Sequence, residues 1–227
     1  MANLFIVATP IGNLEDISLR ALRILKEVDI VLCEDTRKTK KLLSRYNINT
    51  SVLSYHQHSQ FKKINYIVEL LEKGKNLALV SDAGTPGISD PGNKLIELLV
   101  KKGIDLTIVP IPGPSALITA ASVSGFPMDK FTFSGFPPNK KKRNKFFEEL
   151  LKTKLPVIFY ESPYRIIKTL EEMNNKVQEK NCKAQIMVCR ELTKKFETIY
   201  RGTIEEVIKN IKDDKIKGEF TVIVIKI

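Results

Sequence analysis

Short apolar runs alternate with amphipathic segments through the first half of the chain. The runs, rich in Val, Ile and Leu, lie at residues 4–8, 29–33, 52–55, 77–80 and 106–109. Between the first two, residues 18–28 place four apolar side chains on one helical face, and Ser18 is a candidate N-cap. Strands that are apolar at nearly every position and alternate with helices predict a parallel sheet covered on both faces.

The second half of the chain has a more varied pattern. Helical segments, one of them basic and one beginning at Pro163, separate strand-like segments at residues 131–134, 156–161, 184–190, 197–202 and 219–227. Several of these strands can pair antiparallel, which predicts a mixed sheet. We expect the proline-rich residues 110–114 to form a stiff connector. The sequence thus predicts an α/β protein with two domains, residues 1–112 and 113–227, and a ligand cleft between them.

Composition narrows the class of protein. The 227 residues are 43% hydrophobic, which is sufficient for two cores. No run of about 18 apolar residues and no leader pattern occurs, so we expect no membrane span and a cytoplasmic location. Cys33, Cys182 and Cys189 lie in apolar runs and are expected to be buried free thiols. His56 and His58 have no cysteine or carboxylate at motif spacing, so no metal site is predicted.

A formal net charge of +11 favours a polyanionic partner. The charge is clustered at residues 140–145, which read KKKRNK, and at residues 37–41, which read RKTKK. A solvated helix face is the alternative interpretation of either cluster. Aromatic residues make up only 7% of the chain and Trp is absent, which argues against an extended platform for stacking bases.

The most informative segment is residues 77–92, LALVSDAGTPGISDPG. An apolar strand enters a loop with three glycines, and a helical pattern follows. Gly84, Gly87 and Gly92 permit positive φ and carry no Cβ, while Pro86 and Pro91 stiffen the loop. This pattern favours a binding loop over an ordinary glycine-rich turn, because connections in α/β folds are usually shorter.

Three common motifs are missing. The first strand is followed by ATPIGNLEDIS, which lacks the GxGxxG fingerprint of dinucleotide-binding folds. The chain also has neither the phosphate-binding loop of nucleotide hydrolases nor a GxSxG nucleophile elbow. A glycine-rich site without the pattern of a phosphate loop therefore remains.

Six motifs occur in one order across almost the whole chain: VATPIGNLEDISLRAL, CEDTRKT, SDAGTPGISDPG, VPIPGPSALITAASVSGFP, FYESPYRI and CRELTKKFE. In these motifs the chain closely resembles the tetrapyrrole methylase superfamily of S-adenosylmethionine enzymes, and within it the methyltransferases of small-subunit ribosomal RNA. The resemblance implies 2′-O-methylation of a cytidine in the decoding region of 16S rRNA, with free 16S rRNA or the small ribosomal subunit as partner. It also implies a two-domain tetrapyrrole methylase-like fold, S-adenosylmethionine as the methyl donor in the cleft, and a homodimer.

The resemblance carries a set of donor-binding positions onto this chain. They comprise the first loop, the glycine-rich loop, the PGPSA segment, one strand end, and the CREL motif with the main chain facing it: Pro10, Ile11, Asp82, Gly84, Thr85, Ile88, Ser115, Ala116, Tyr160, Arg190, Glu191, Gly218, Glu219 and Phe220. Many of these contacts would involve backbone atoms, which suits a sulfonium with an adenosine. For Ser115, a helix N-cap is an equal and compatible interpretation.

Candidate groups on the acceptor side are Glu34, Asp35 and Arg37 in CEDTRKT, and Glu161 and Arg165 in ESPYR. A carboxylate can accept the proton of a ribose 2′-hydroxyl, and an arginine can bind a phosphate. The sequence assigns no single general base. Asp35 can instead cap the next helix and pair with Arg37, and Tyr164 can either stack on a base or pack internally.

Two other functions stay open at this stage. A methylase of a small anionic tetrapyrrole precursor would also use a basic site, although such relatives typically have a GDPF-like motif where this chain has GTPGIS. A non-catalytic RNA-binding or assembly factor would account for the charge but not for the elaborate loops. Members of the family usually continue for some tens of residues past the strand that corresponds to EFTVIVIKI, which leaves the mode of RNA docking open.

Overall fold

The apolar runs of the first half form one parallel sheet in the computed structural model, which describes residues 2–56, 61–90, 92–214 and 216–227. His58 and Pro91, both named above, lie outside these residues. The chain divides into two units, the first ending at Ser115 and the second beginning at Ala116. Strands β1 to β5 and helices α1 to α4 of the first unit are β1 (Ala2–Val7), α1 (Leu19–Glu27), β2 (Ile30–Cys33), α2 (Thr36–Arg45), β3 (Ser51–Ser54), α3 (Phe61–Glu72), β4 (Leu77–Leu79), α4 (Gly92–Lys101) and β5 (Leu106–Ile111).

The strand order is β3-β2-β4-β1-β5, and all four pairings are parallel, as predicted. Alternate strand residues point to opposite sides of the sheet, so strands that are apolar throughout give it two apolar faces. Helices cover both of them. One cluster joins α1 and α2 to the sheet through Ile24, Leu25, Leu42, Leu43, Val7 and Val31. A separate cluster joins α3 and α4 through Ile67, Leu71, Leu95, Leu99, Leu4 and Leu32.

This topology places a crevice between β1 and β4. The strands are neighbours, yet β1 leads through α1 toward β2 and β4 leads through α4 toward β5, in opposite directions along the sheet. Open parallel sheets bind ligands at such a switch point, beyond the carboxyl ends of the strands. The first loop and the glycine-rich loop both lie there.

The start of α1 agrees with the sequence, whereas the start of the proline-rich connector does not. Ser18 is the N-cap of α1, since its hydroxyl accepts a hydrogen bond of 3.1 Å from the Ala21 N–H, as predicted. The prediction of a connector over residues 110–114 was wrong at its start, because Pro110 pairs with Ile6 inside β5. β5 is an edge strand, where a residue without an N–H is tolerated.

The second unit contains a mixed sheet, as predicted. Its elements are α5 (Ala116–Ser122), β6 (Thr132–Phe133), α6 (Arg143–Leu150), β7 (Val157–Glu161), α7 (Ile166–Glu179), β8 (Ala184–Arg190), β9 (Thr198–Gly202), α8 (Ile204–Lys212) and β10 (Phe220–Lys226). The order is β6-β7-β10-β8-β9, with β6 parallel to β7 and the other pairs antiparallel. α7 begins at Ile166 rather than Pro163, because residues 163–165 form a turn.

The core of this unit lies between the sheet and helices α6, α7 and α8. It contains Phe147, Phe159, Leu170, Met173, Val188, Val207, Ile211 and Val222. The central position of β10 explains why four of the five residues of FTVIV are apolar, since Phe220 to Val224 are all buried and Thr221 is the one polar member. α8 begins with a capping box, in which Thr203 and Glu206 satisfy each other's backbone N–H groups.

Candidate active site

The loops after β1 and β4 are joined by backbone hydrogen bonds. The Thr9 N–H donates to the Gly84 oxygen at 2.9 Å, and the Gly84 N–H donates to the Thr9 oxygen at 3.0 Å. The Thr9 hydroxyl adds a bond of 3.2 Å to the Ser81 oxygen. The first loop and the glycine-rich loop are therefore one rigid piece at the switch point of the sheet.

Of the three glycines in the glycine-rich loop, Gly84 is the one at which an added Cβ would not collide with the loop itself. At Gly87 a Cβ would lie 2.7 Å from the Asn93 side-chain oxygen, and at Gly92 it would lie 3.1 Å from the Gly87 nitrogen. Those two glycines serve the packing of the loop. Gly84 has φ +82°, and of the residues that the structure describes, a Cβ there would meet only Ile11 at 3.4 Å and the Pro114 oxygen at 3.8 Å.

The predicted donor residues of this unit gather around Gly84. Pro10 and Ile11 are buried in the first loop, and the Thr85 hydroxyl donates to the Pro114 oxygen at 3.1 Å, which brings the PGPSA segment to the same place. Ser115 follows directly and precedes α5, which begins at Ala116. Ile88 is 41% exposed, so an apolar side chain faces outward from the loop. The contacts thus unite three segments that are distant in sequence.

Carboxyl groups converge beside this loop. Asp82 accepts a bond of 3.1 Å from the Asp35 N–H and an ion pair of 2.7 Å from Lys38. One oxygen of Glu34 is buried and has no hydrogen-bond partner among the described residues. Burial, followed by the charge of Asp82, raises the pKa of Glu34. Burial, followed by the charge of Glu34, raises the pKa of Asp90 to about 7.

Asp90 is not among the site residues predicted from the sequence. Its position in the sequence SDPG gave no sign of its environment, because its raised pKa depends on burial and on Glu34, which is 56 positions earlier in the chain. A carboxyl group with a pKa near neutrality can exchange a proton at physiological pH. Asp90 is therefore a stronger candidate for proton transfer than its sequence context indicated.

Asp35 has the capping role that was one of its two interpretations. It is the N-cap of α2, accepting from the Arg37 N–H at 2.8 Å, and it also binds the Arg37 guanidinium at 3.0 and 2.7 Å. The hydrogen bond from the Arg37 side chain holds the pKa of Asp35 well below its usual value. Asp35 is thus poorly suited to accept a proton, while the Arg37 side chain is 88% exposed. A direct role of either residue toward the acceptor stays a prediction.

A depression of about 330 Å³ lies beside the first loop. Its lining comes from the first loop, α2 and the start of the glycine-rich loop, and includes Thr9, Pro10, Gly12, Lys38, Lys41 and Asp82. In the sequence these lysines stand out only as part of a charged run. Their place at this depression follows from the packing of α2 against the sheet.

In the second unit, Glu161 is buried and fully hydrogen-bonded. Its side chain binds the Arg165 guanidinium and the Ser162 N–H, each at 2.7 Å, and accepts from the Thr169 hydroxyl at 2.6 Å. Arg143 donates to the same Thr169 hydroxyl at 2.6 Å, to the Pro138 oxygen at 3.0 Å and to Glu172 at 2.5 Å. Glu161 is therefore the centre of a buried network that joins β7, α7 and the start of α6.

The predicted donor residues where β8 pairs with β10 also lie together. Phe220 pairs with Arg190, and the Glu191 N–H donates to the Glu219 oxygen at 2.9 Å. The Glu219 N–H in turn donates a hydrogen bond of 2.9 Å to the Glu191 carboxylate. Gly218, with φ +93°, leaves room for this side chain, since a Cβ there would lie 2.3 Å from Glu191 carbons.

Arg190 itself is buried, and its guanidinium forms its hydrogen bonds within the protein. It donates to the Lys217 oxygen at 3.0 Å and pairs with Asp214 at 2.5 Å. Arg190 thus holds the chain before β10, and any contact with the donor would involve its backbone. The ring of Tyr160, near the end of β7, contacts those of Phe133 and Phe136 at centroid distances of 5.0 and 5.5 Å.

The remaining expectations concern metals, membranes and cysteines. Among the described residues, no group of three or more His, Cys, Asp or Glu side chains is arranged to hold a metal ion. No helix in the described ranges is both long and apolar enough to cross a membrane. Cys33 and Cys189 are buried, whereas Cys182 is only partly buried.

Comparison with known proteins gives concordant matches. A sequence model of the Tetrapyrrole (Corrin/Porphyrin) Methylases matches residues 3–208. Ribosomal RNA small subunit methyltransferase I of Halalkalibacterium halodurans is 46% identical over 222 residues, covering 97% of this chain and 75% of that protein. The protein of the same name from Thermotoga maritima is 44% identical over 223 residues, covering 98% of both.

A solved structure matches across nearly the whole length. Cobalt precorrin-4 methyltransferase, a cobalamin biosynthetic enzyme, superposes with a TM-score of 0.73 over 98% of this chain and 94% of that one. Its sequence identity is 19%, so the match concerns the fold alone. The fold class predicted from sequence is confirmed.

Proposed function

Because the chain belongs to the tetrapyrrole methylase family and is an S-adenosylmethionine-dependent methyltransferase, we propose that it methylates the 2′-hydroxyl of a cytidine ribose in the decoding region of 16S rRNA. The observation that supports this best is the agreement of relatives at 44–46% identity over nearly the whole chain, whose shared name specifies small-subunit rRNA. The net charge of +11 suits a polyanionic acceptor.

The rigid pair of loops around Gly84 fits the methyl donor. Backbone groups can approach a ligand closely at a glycine with φ +82°, and Ile11 and Ile88 supply apolar surface beside it. The rest of the proposed donor-binding surface comes from Pro10, Thr85 and the PGPSA segment. The donor supplies an activated methyl group on a sulfonium, and the protein has to bind and orient it.

The charges of this region also suit a sulfonium. Glu34, Asp82 and Asp90 form a local acidic group in a chain that is strongly basic overall. A nearby cation favours the ionised form of such groups. Donor binding should therefore lower the raised pKa values of Glu34 and Asp90, and donor affinity should increase with pH up to about neutrality.

The acceptor hydroxyl must lose a proton as the new C–O bond forms. Asp90, with a pKa of about 7, and Glu34, whose pKa is also raised, are the carboxyl groups suited to receive it directly or through water. Alignment of the hydroxyl within about 3 to 3.5 Å of the methyl carbon accounts for the rest of the catalysis.

The acceptor is 16S rRNA, free or in the small ribosomal subunit, and the protein acts in the cytoplasm as a homodimer. Methyl transfer from labelled donor to small subunits and to deproteinised 16S rRNA distinguishes the two acceptors. Protection of one cytidine linkage from alkaline hydrolysis identifies the 2′-O position. Absence of label in rRNA, together with label in a tetrapyrrole precursor, would instead support the small-molecule methylase.

The donor loop is tested by a matched pair of glycine variants. Gly84→Ala and Gly74→Ala add a Cβ at nearly equal φ, +82° and +78°, so they impose similar backbone strain. No described residue has an atom within 4 Å of the Cβ that Gly74→Ala adds, which makes this variant the control. We expect donor affinity, measured by calorimetry, to fall about tenfold or more in Gly84→Ala only. Equal affinities in the two variants would exclude this loop from the donor site.

A further inference from the structure

We propose that the second unit carries a docking surface for single-stranded RNA, formed by exposed aromatic rings and lysines at the starts of α6 and α7. This aromatic-lysine surface consists of Phe136, Lys140, Lys142, Lys145, Tyr164 and Lys168. The inference rests on the proposed function, because it states how the strand around the target cytidine is held.

Tyr164 is the most informative member of the surface. It lies in the turn between β7 and α7 and is 94% exposed, so the internal packing that sequence reasoning allowed for it does not occur. A ring in that position contributes almost nothing to the core. It offers a flat face on which an unpaired base can stack.

Phe136 extends the same apolar feature. It is 52% exposed, and its ring rests against Tyr160 at a centroid distance of 5.5 Å. One side of the ring is thereby supported while much of it faces outward. Two exposed aromatic rings near a basic cluster are the combination that proteins use to hold single strands.

The lysines line a depression of about 570 Å³. Four lysines and Arg143 contribute to its lining, against a single carboxylate from Glu172. In the described part of the chain, Lys140 and Lys142 form no ion pair, while Lys145 and Lys168 have only long ones, of 3.6 and 3.9 Å. Exposed pairs at such distances contribute little, so these charges remain available to phosphates.

The buried network around Glu161 fixes the geometry of the surface. Arg165, which follows Tyr164, donates to the Pro137 oxygen at 3.2 Å and to the Asn139 side chain. Arg143 donates a further hydrogen bond to the oxygen of the next residue, Pro138. The loop is therefore ordered before RNA arrives, which lowers the entropy lost on binding. Glu161 and Arg165 are positioning residues in this proposal.

Lys142 provides a variant that separates binding from folding. Its φ of +69° lies in the left-handed region, which costs an L-residue energy that glycine avoids. Lys142→Gly should thus keep or improve the stability of the protein. Any loss of RNA affinity in this variant comes from the missing ammonium group.

The experiment measures binding of a single-stranded decoding-region oligonucleotide over a series of salt concentrations. Tyr164→Ala should weaken binding by roughly 5- to 100-fold, and Tyr164→Phe should restore it because the ring is kept. The triple variant Lys140→Ala, Lys142→Gly, Lys168→Ala should flatten the slope of log affinity against log salt by about 2, since each phosphate contact contributes about −0.7.

Lys180, Lys183 and Lys209 form the matched control. All three are exposed lysines of the same unit, and Lys180 ends α7 about 21 Å from its beginning. Their triple replacement by Ala removes the same charge and should change the slope by much less. Equal slopes in the two triple variants would show that only net charge matters, and would overturn the proposal.

A duplex RNA with the same number of phosphates completes the test. Its bases are stacked internally, so Tyr164→Ala should leave duplex affinity unchanged. An equal loss on both RNAs would also overturn the proposal. Donor affinity is measured in parallel: a wild-type protein that binds no S-adenosylmethionine contradicts the proposed function, whereas unaltered single-strand affinity in Tyr164→Ala contradicts this surface alone.

Discussion

Arg143 belongs to the KKKRNK run, yet the structure gives it a different task from its neighbours. Its exposed fraction is 8%, whereas the lysines on either side are exposed. We expect Arg143→Met, which keeps an apolar stem of similar length but removes the guanidinium, to destabilise the second unit. The same substitution at Lys141 removes an equal charge from an exposed position.

The magnitude follows from the bonds that are lost. Arg143 donates to the Thr169 hydroxyl, which is fully buried, to the Pro138 oxygen and to Glu172. Hydrogen bonds to a charged group contribute about 1.5–3 kcal/mol each. Two effects make the loss smaller than the sum of these bonds. The Glu172 side chain is 34% exposed, so water can replace its bond to Arg143, and a Met side chain can keep the contact with the Phe147 ring. The expected loss is about 3 kcal/mol.

Urea unfolding followed by far-ultraviolet circular dichroism measures this loss, since the chain has no Trp for fluorescence. With a slope of about 2 kcal/mol per molar urea, the midpoint should fall by about 1.5 M in Arg143→Met. Lys141→Met should change stability by less than about 0.5 kcal/mol. Arg143→Lys should recover little, because an ammonium cannot form the three divergent bonds. If Arg143→Met and Lys141→Met unfold at the same midpoint, the network does not hold the loop and the reasoning fails.

Two further predictions concern stability. Burial and Glu34 raise the pKa of Asp90 to about 7 from 3.8, so the folded state binds a proton that the unfolded state releases, and stability should fall as pH rises between those values. After discounting for solvent screening, Asp90→Asn should be about 1–2 kcal/mol more stable than wild type at about pH 8 and equal to it at about pH 4. If urea unfolding gives the same difference in stability between variant and wild type at both pH values, the raised pKa is contradicted. Gly218→Ala would place a Cβ 2.3 Å from Glu191 carbons, whereas the Cβ of Gly125→Ala, at φ +75°, meets nothing within 4 Å in the part of the chain that the structure describes. Thermal unfolding should therefore show an additional loss of about 1–3 kcal/mol for Gly218→Ala, and no difference between the two would mean that Glu191 moves aside freely.

The sequence by itself determined the elements and their class. Apolar runs bounded by turns gave the strands of a parallel sheet, because a strand buried on both faces must be apolar at nearly every position. Ser18 marked the start of α1, since an N-cap acts on backbone groups only three residues away. The family motifs identified the superfamily for the same reason: they are local patterns, readable without knowing what packs against them.

Only the tertiary structure decided what individual polar residues do. Arg143 and Lys142 are adjacent in one basic run, but Thr169 and Glu172 on another helix bury the first and leave the second exposed. Asp90 acquires a pKa near 7 from burial and from a carboxylate on a different strand end. Burial and electrostatic interactions depend on neighbours that are far away in sequence, so the local pattern that fixes a helix or strand carries no information about them.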